Sequence, residues 1–262
     1  MTFVERLDGI VERSGSLLCV GLDPQDAADA AAAERVCAEI VDATLASACA
    51  YKANIAFFEQ FGSRGYAALE RLRNRIPAER VYIVDAKRGD IPNTSRAYAR
   101  ALFDVLGADA VTVNPLLGQD AVAPFLDRED CGIFILARTS NQGAADLLDE
   151  LLASGLRLHE RIVELGGRWD PGGRIGFVVG ATDPESVAAT RRAAPSAPLL
   201  LPGVGAQGAD LEEAVRAGLD ERGRGLLVNV SRAVATAPEG PARAAAELRT
   251  RIDAAREAVA RP

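Results

Sequence analysis

Asp85, Lys87 and Asp90 lie within the run Asp85-Ala86-Lys87-Arg88-Gly89-Asp90-Ile91, directly after the apolar segment Val81-Tyr82-Ile83-Val84. Acid, base and acid at the carboxyl end of a buried strand stand where α/β enzymes carry out their chemistry. Strand side chains alternate with period two, so Asp85 and Lys87 share a face, their Cα atoms roughly 6.6 Å apart, and Ala86 points the other way. An ammonium beside a carboxylate can lock a strand end as a salt bridge, or it can serve acid–base chemistry. Both readings are open on these residues alone. Lys52, just after Tyr51, adds a second inward lysine. Lysines are rarely buried without a carboxylate partner, and Asp85 is the natural one for both.

Other chemistries have few residues to work with. The single histidine, His159, falls in a stretch predicted helical from Leu151 to Leu165, far in sequence from every strand end. A histidine-ligated metal site or histidine general base is therefore not expected. Cys19, Cys37, Cys49 and Cys131 have neither CxxC spacing nor a nearby histidine. In their apolar segments they read as core thiols.

Short β-rich runs recur along the chain: Leu17 to Asp23, Tyr51 to Phe57, Val81 to Lys87, Ala110 to Pro115, Gly132 to Thr139, Ile175 to Thr182, Leu199 to Val204, and Leu226 to Arg232. Helical periodicity fills the gaps, as in Val36, Ile40, Val41 and Leu45, and in Ala99, Leu102, Phe103 and Leu106. Nearly continuous apolar strands alternating with helices predict a parallel sheet, and eight such units in 262 residues predict a closed (β/α)8 TIM barrel. An open doubly wound sheet is the alternative. No Pro/Gly/Ser linker divides the chain, so residues 1–262 read as one domain, with glycines before the sixth strand lengthening that connection.

A barrel would gather the polar strand ends at one mouth: Asp23, Lys52, Asp85 with Lys87, Asn114, and Arg138-Thr139-Ser140-Asn141. Asp23 and Ser140 taken singly could equally be helix caps. In the seventh unit, Gly203-Val204-Gly205-Ala206-Gln207-Gly208 satisfies GxGxxG. A dinucleotide site needs that pattern after its first strand and an acidic residue ending the second; here the next strand ends Val230-Ser231-Arg232. The loops after strands seven and eight form the usual barrel phosphate site. Gln207, Gly208, Ser231 and Arg232 are thus candidate phosphate ligands, with a glycine-rich turn as the plainer alternative.

Hydrophobic residues at 48%, charged residues at 26% and a net charge of −7 describe an ordinary globular chain with an acidic surface. That charge disfavours nucleic acid or an anionic membrane as partner, while a small phosphorylated ligand could be held by local groups. No apolar run approaches 18 residues, and Met1 to Arg6 shows no basic segment leading into an apolar one, which predicts a cytoplasmic location. The acidic stretches around Glu34 and from Asp146 to Glu150 read as solvated helix faces.

Taken together, Gly21-Leu22-Asp23-Pro24, Tyr51-Lys52, Asp85 to Ile91 with Thr94, Thr139-Ser140-Asn141, and Pro202-Gly203-Val204-Gly205-Ala206-Gln207-Gly208 with Arg232 resemble the orotidine 5′-monophosphate decarboxylase family, specifically its longer bacterial branch. The resemblance spans the barrel. It implies a cofactor-independent lyase that converts orotidine 5′-monophosphate (OMP) to UMP, the last step of de novo pyrimidine synthesis. Lys87 would protonate C6, and Asp85 would face the departing CO2. Lys52 and Asp23 would hold ribose, Ser140 the pyrimidine edge, and Pro202, Gln207, Gly208, Ser231 and Arg232 the phosphate end. Asp90, Ile91 and Thr94 would reach a neighbouring subunit's site, making a homodimer. Gln142 and Ser231 depart from the family's usual proline and glycine. Because DxKxxD also occurs in related barrels, a metal-dependent sugar-phosphate decarboxylase or aldolase-type barrel, or a phosphate-binding barrel without catalysis, remain rival readings.

Overall fold

The computed structural model describes residues 1–204 and 211–260. Eight parallel strands close on themselves in sequence order: β1 (Leu18–Leu22), β2 (Ala50–Asn54), β3 (Val81–Arg88), β4 (Ala110–Val113), β5 (Gly132–Arg138), β6 (Ile175–Val179), β7 (Leu199–Leu201) and β8 (Leu226–Val230). Closure is made by β1 against β8, with Leu18 opposite Val228 and Val20 opposite Val230. All eight expected strands are present and the open-sheet alternative is excluded.

β1, β2, β6 and β8 are buried along nearly their whole length, which is why they read as unbroken apolar runs. The amino-terminal end of the barrel is plugged by the helix Phe3–Ser14. The Phe3 ring meets Phe134 edge-on at 6.2 Å and packs where a Cβ on Gly132 would stand only 2.2 Å from it. Arg6 pairs with Asp109 at 2.8 Å. With that end sealed, the carboxyl end is left to carry the chemistry.

Four sequence expectations are corrected. The second run ends at Asn54, because Ile55 turns the chain into the short helix Ala56–Glu59. The helix expected from Leu151 to Leu165 instead runs Leu158–Trp169. Leu151 bridges Arg157 in a tight return, and the Arg157 N–H is taken by Glu160 Oε2 at 2.7 Å, which starts the helix late. That helix also absorbs Gly166 and Gly167, so they do not lengthen the loop before β6; Gly166 lets the Phe177 ring lie against the helix. The acidic run from Asp146 to Glu150 lies in the connection after β5: Asp146 ends the short 3-10 helix Gln142–Asp146, and residues 147–150 are not helical.

Cys19, Cys37, Cys49 and Cys131 are free and buried, as expected of core thiols. Burial pushes the thiols of Cys37, Cys49 and Cys131 up to about 12.

Candidate active site

β2 and β3 pair with Asn54 opposite Asp85 and Lys52 opposite Ile83. This register carries the two inward side chains to the same spot. Lys52 Nζ donates to Asp85 Oδ2 at 3.0 Å, and Lys87 Nζ donates to Asp85 Oδ1 at 2.6 Å. One carboxylate thus bridges two ammonium groups. Lys52 is buried, as expected, but the Lys87 side chain is 47% exposed, which corrects the expectation of two buried lysines. The cause is local. The β3–β4 register shifts between Val84 and Arg88, and Lys87 has φ of +48°, the one non-glycine residue with positive φ among those described. The chain therefore lifts Lys87 above the enclosed layer at a strained position of the kind that collects at functional sites.

The electrostatics follow from the geometry. Burial alone would raise the Asp85 pKa, but the charges of Lys52 and Lys87 and their hydrogen bonds outweigh it and hold the carboxyl well below the usual carboxylate range. For Lys52 burial works against the charged form, and Asp85 followed by Asp23 overcomes it, so the ammonium is held above the usual lysine range. Near neutral pH the pair is ionic.

Two supports were not foreseen. Thr112 on β4 is buried; its Oγ1 accepts from the Lys87 N–H at 2.9 Å and donates to Asp85 Oδ1 at 2.8 Å. A hydroxyl in the otherwise apolar Ala110-Val111-Thr112-Val113 was the available signal. Arg88 donates to the Ala86 carbonyl at 2.9 Å, pairs with Glu59 and lies over the Tyr98 ring, bracing the end of β3 from behind.

Around this centre, Asp23 directly follows β1. Its Oδ1 accepts from the Asn54 N–H at 3.3 Å and its Oδ2 from the Ser231 hydroxyl at 2.5 Å. Ser231 was expected to face the phosphate; here its hydroxyl is committed to Asp23, because β8 ends beside β1 at a point where Gly21 has no side chain. A Cβ on Gly21 would stand 1.9 Å from Ser231 Oγ. Arg232 is exposed, and it shares with Asp23, Pro24, Val36 and Thr236 the wall of a cavity of ≈420 Å³.

Ser140 and Gln142 line a second cleft of ≈560 Å³ with Arg138, Asn141, Thr182 and Asp183. Gly180 lets this loop approach closely, since a Cβ there would lie 2.7 Å from Ser140 Cα. Arg138 donates to Asp149 at 2.9 Å and stands 3.1 Å from Asp183. His159 Nδ1 lies 2.8 Å from the Leu148 carbonyl oxygen, so the histidine braces this loop away from the charged centre.

Asp90 is not brought to Lys87 within one chain: its Oδ1 accepts from the Ile91 N–H at 2.7 Å. Ile91 is 56% exposed and Thr94 half-buried on the following helix, Pro92–Ala99. Pro202 follows β7, its carbonyl accepting from the Ala181 N–H at 2.9 Å, whereas Gln207 and Gly208 lie outside the described residues.

The profile described as "Orotidine 5'-phosphate decarboxylase / HUMPS family" matches residues 16–248. The chain belongs to this family. An orotidine 5'-phosphate decarboxylase of Roseiflexus castenholzii is 49% identical over 99% of this chain and 100% of its own length. Among solved structures of similar proteins, the OMP decarboxylase of Leishmania donovani is 42% identical with a TM-score of 0.91, covering 98% of this chain and 99% of that one. The UMP synthase of the same organism is 44% identical with a TM-score of 0.93, and the chain spans 57% of its length. Within the matched range, Lys52, Asp85 and Lys87 converge in space.

Proposed function

We propose that residues 1–262 form one catalytic domain that decarboxylates OMP to UMP, with Lys87 as the proton donor. The observation that carries this reading is the Lys87 ammonium 2.6 Å from an Asp85 carboxylate whose second oxygen is held by buried Lys52. In the reaction the bond from C6 to the carboxylate carbon breaks, CO2 leaves, and the electron pair stays on C6. That pair lies in the ring plane, where the ring cannot delocalise it. Lys87 delivers its proton to C6, giving UMP and a neutral amine that regains a proton from solvent.

An ammonium held near the developing charge stabilises it by roughly 4 kcal/mol at 4 Å and an effective dielectric near 20, and by more as water is excluded. Enzymes lower barriers by up to about 23 kcal/mol, so positioning, at roughly 7 to 11 kcal/mol, and binding of the remote phosphate supply much of the rest. Asp85 faces the substrate carboxylate, accepts from Lys87 Nζ and keeps the buried Lys52 charged. Asp23 and Lys52 hold ribose hydroxyls, Ser140 the pyrimidine edge, and Gln207, Gly208, Arg232 and Pro202 the phosphate end. Ser231, expected at the phosphate end, instead serves the ribose end by holding Asp23.

Asp90, Ile91 and Thr94 complete the site of a second subunit in a homodimer. Exposed Ile91 and an Asp90 carboxylate with no tie to its own Lys87 support that reading. The reaction is cofactor-independent, since the charges that a bound metal would supply are supplied by Lys52 and Lys87. A divalent ion on Asp85 would have to displace the Lys52 ammonium, which disfavours the metal-dependent sugar-phosphate chemistry. No helix among the described residues is long and apolar enough to cross a membrane, in keeping with a cytoplasmic enzyme.

The test is the fall in ultraviolet absorbance as OMP becomes UMP with a chelator present. Turnover is expected to be unaffected by the chelator; loss of activity on chelation, restored by a divalent cation, would favour the metal-dependent reading.

A further inference from the structure

The Thr112 hydroxyl touches both the backbone of Lys87 and the carboxylate of Asp85. Its hydrogen-bond directions are fixed by its partners. The Lys87 N–H can only donate, so it takes a lone pair of Thr112 Oγ1 at 2.9 Å. The ionised Asp85 can only accept, so the hydroxyl proton goes to Oδ1 at 2.8 Å. That same Oδ1 accepts from Lys87 Nζ at 2.6 Å. Backbone, hydroxyl, carboxylate and ammonium thereby form a closed ring of contacts. Thr112 is 1% exposed on β4, and its β-branched side chain has little rotamer freedom, so the hydroxyl is held from a rigid wall.

The ring has a task. Lys87 sits at φ +48° where the β3–β4 register slips, and its N–H has left the regular ladder. Without a hydroxyl opposite, that N–H would be an unmatched donor, and the backbone would be drawn back toward ordinary strand geometry. We infer that Thr112 is a positioning residue, which holds Lys87 in its raised conformation and orients the Asp85 carboxylate beneath the ammonium. It acts on the chemical step through these two residues and touches no part of the nucleotide. The inference rests on the reading of Lys87 as proton donor.

The test compares Thr112→Val, which keeps the shape and removes the hydroxyl, with Thr112→Ser, which keeps the hydroxyl. Wild type and both variants are assayed for kcat and KM with OMP, and for UMP affinity by calorimetry. Thr112→Val is expected to lose about 100-fold in kcat, as for a misplacement near 1 Å, with KM and UMP affinity within about threefold of wild type. Thr112→Ser is expected to recover most of the loss. Should Thr112→Val fail to fold, Thr112→Ala carries the same expectation. A kcat within twofold of wild type in the hydroxyl-free variant, or equal losses in the valine and serine variants, overturns the inference while leaving the decarboxylase reading intact. A wild type that does not turn over OMP overturns both.

Discussion

The Ser231 hydroxyl donates to Asp23 Oδ2 at 2.5 Å, tying the end of β8 to the end of β1, and Gly21 leaves the room for it. Gly21→Ala would place a methyl group 1.9 Å from Ser231 Oγ and 2.8 Å from its Cβ. Overpacking of this kind costs about 1 to 3 kcal/mol. Combining Gly21→Ala with Ser231→Gly removes both clashing atoms, so the double variant should be more stable than Gly21→Ala alone. Thermal melts of the four proteins check this. Additive losses would show that the contact does not limit position 21.

Lys52 and Lys87 share a partner but not an environment, and stability should separate them. Asp85→Asn leaves the buried Lys52 ammonium without its carboxylate and is expected to cost about 3 to 5 kcal/mol in urea unfolding. Lys87→Ala removes a half-exposed member and is expected to cost at most about 1 kcal/mol. Equal losses in the two variants would contradict the assignment of Lys52 as the structurally buried partner.

The pH dependence of the pair follows from the directions of its shifts. Asp85 is held below its ordinary value near 3.9, so its contribution is fully present above that pH and is lost as pH falls through the lower folded value. Lys52 is held above its ordinary value near 10.4, so its contribution is present below that pH and lost as pH rises through the higher folded value. The stability difference between wild type and the neutral double variant Lys52→Met/Asp85→Asn should therefore be flat between roughly pH 5 and 9 and shrink outside that window. Denaturant unfolding across the range measures it; a difference peaking sharply near pH 7 would contradict the ionic pair.

The eight strands were legible because most of their residues are buried and read as apolar runs. The Lys52–Asp85–Lys87 centre was legible because charged residues ending such runs have few other places to go. What could not be read came from contacts between distant segments. Nothing local to Ser231 reveals that β8 ends against Gly21, and nothing local to Thr112 reveals that its hydroxyl lies under Lys87. The raised backbone of Lys87 depends on a register slip between two strands. The late start of the Leu158 helix depends on the bridge between Leu151 and Arg157, which no period in the intervening residues announces.

Sharing of active sites between subunits has its own test. Chains carrying Asp90→Asn and chains carrying Lys87→Ala are each expected to be inactive as homodimers, and mixing them should restore activity through hybrids that contain one intact site. Recovery approaching a quarter of wild type is expected for random reassortment with one complete site in half of the dimers, an order-of-magnitude figure. Verified hybrid dimers without activity would place Asp90 outside the partner's site.

The central claim, that the Lys87 ammonium protonates C6, is tested most directly by OMP turnover in Lys87→Ala beside the wild type. The wild type should consume OMP and form UMP and CO2, while Lys87→Ala should form none, keep its barrel by circular dichroism and still bind UMP. Turnover near the wild-type rate in that variant would contradict the claim.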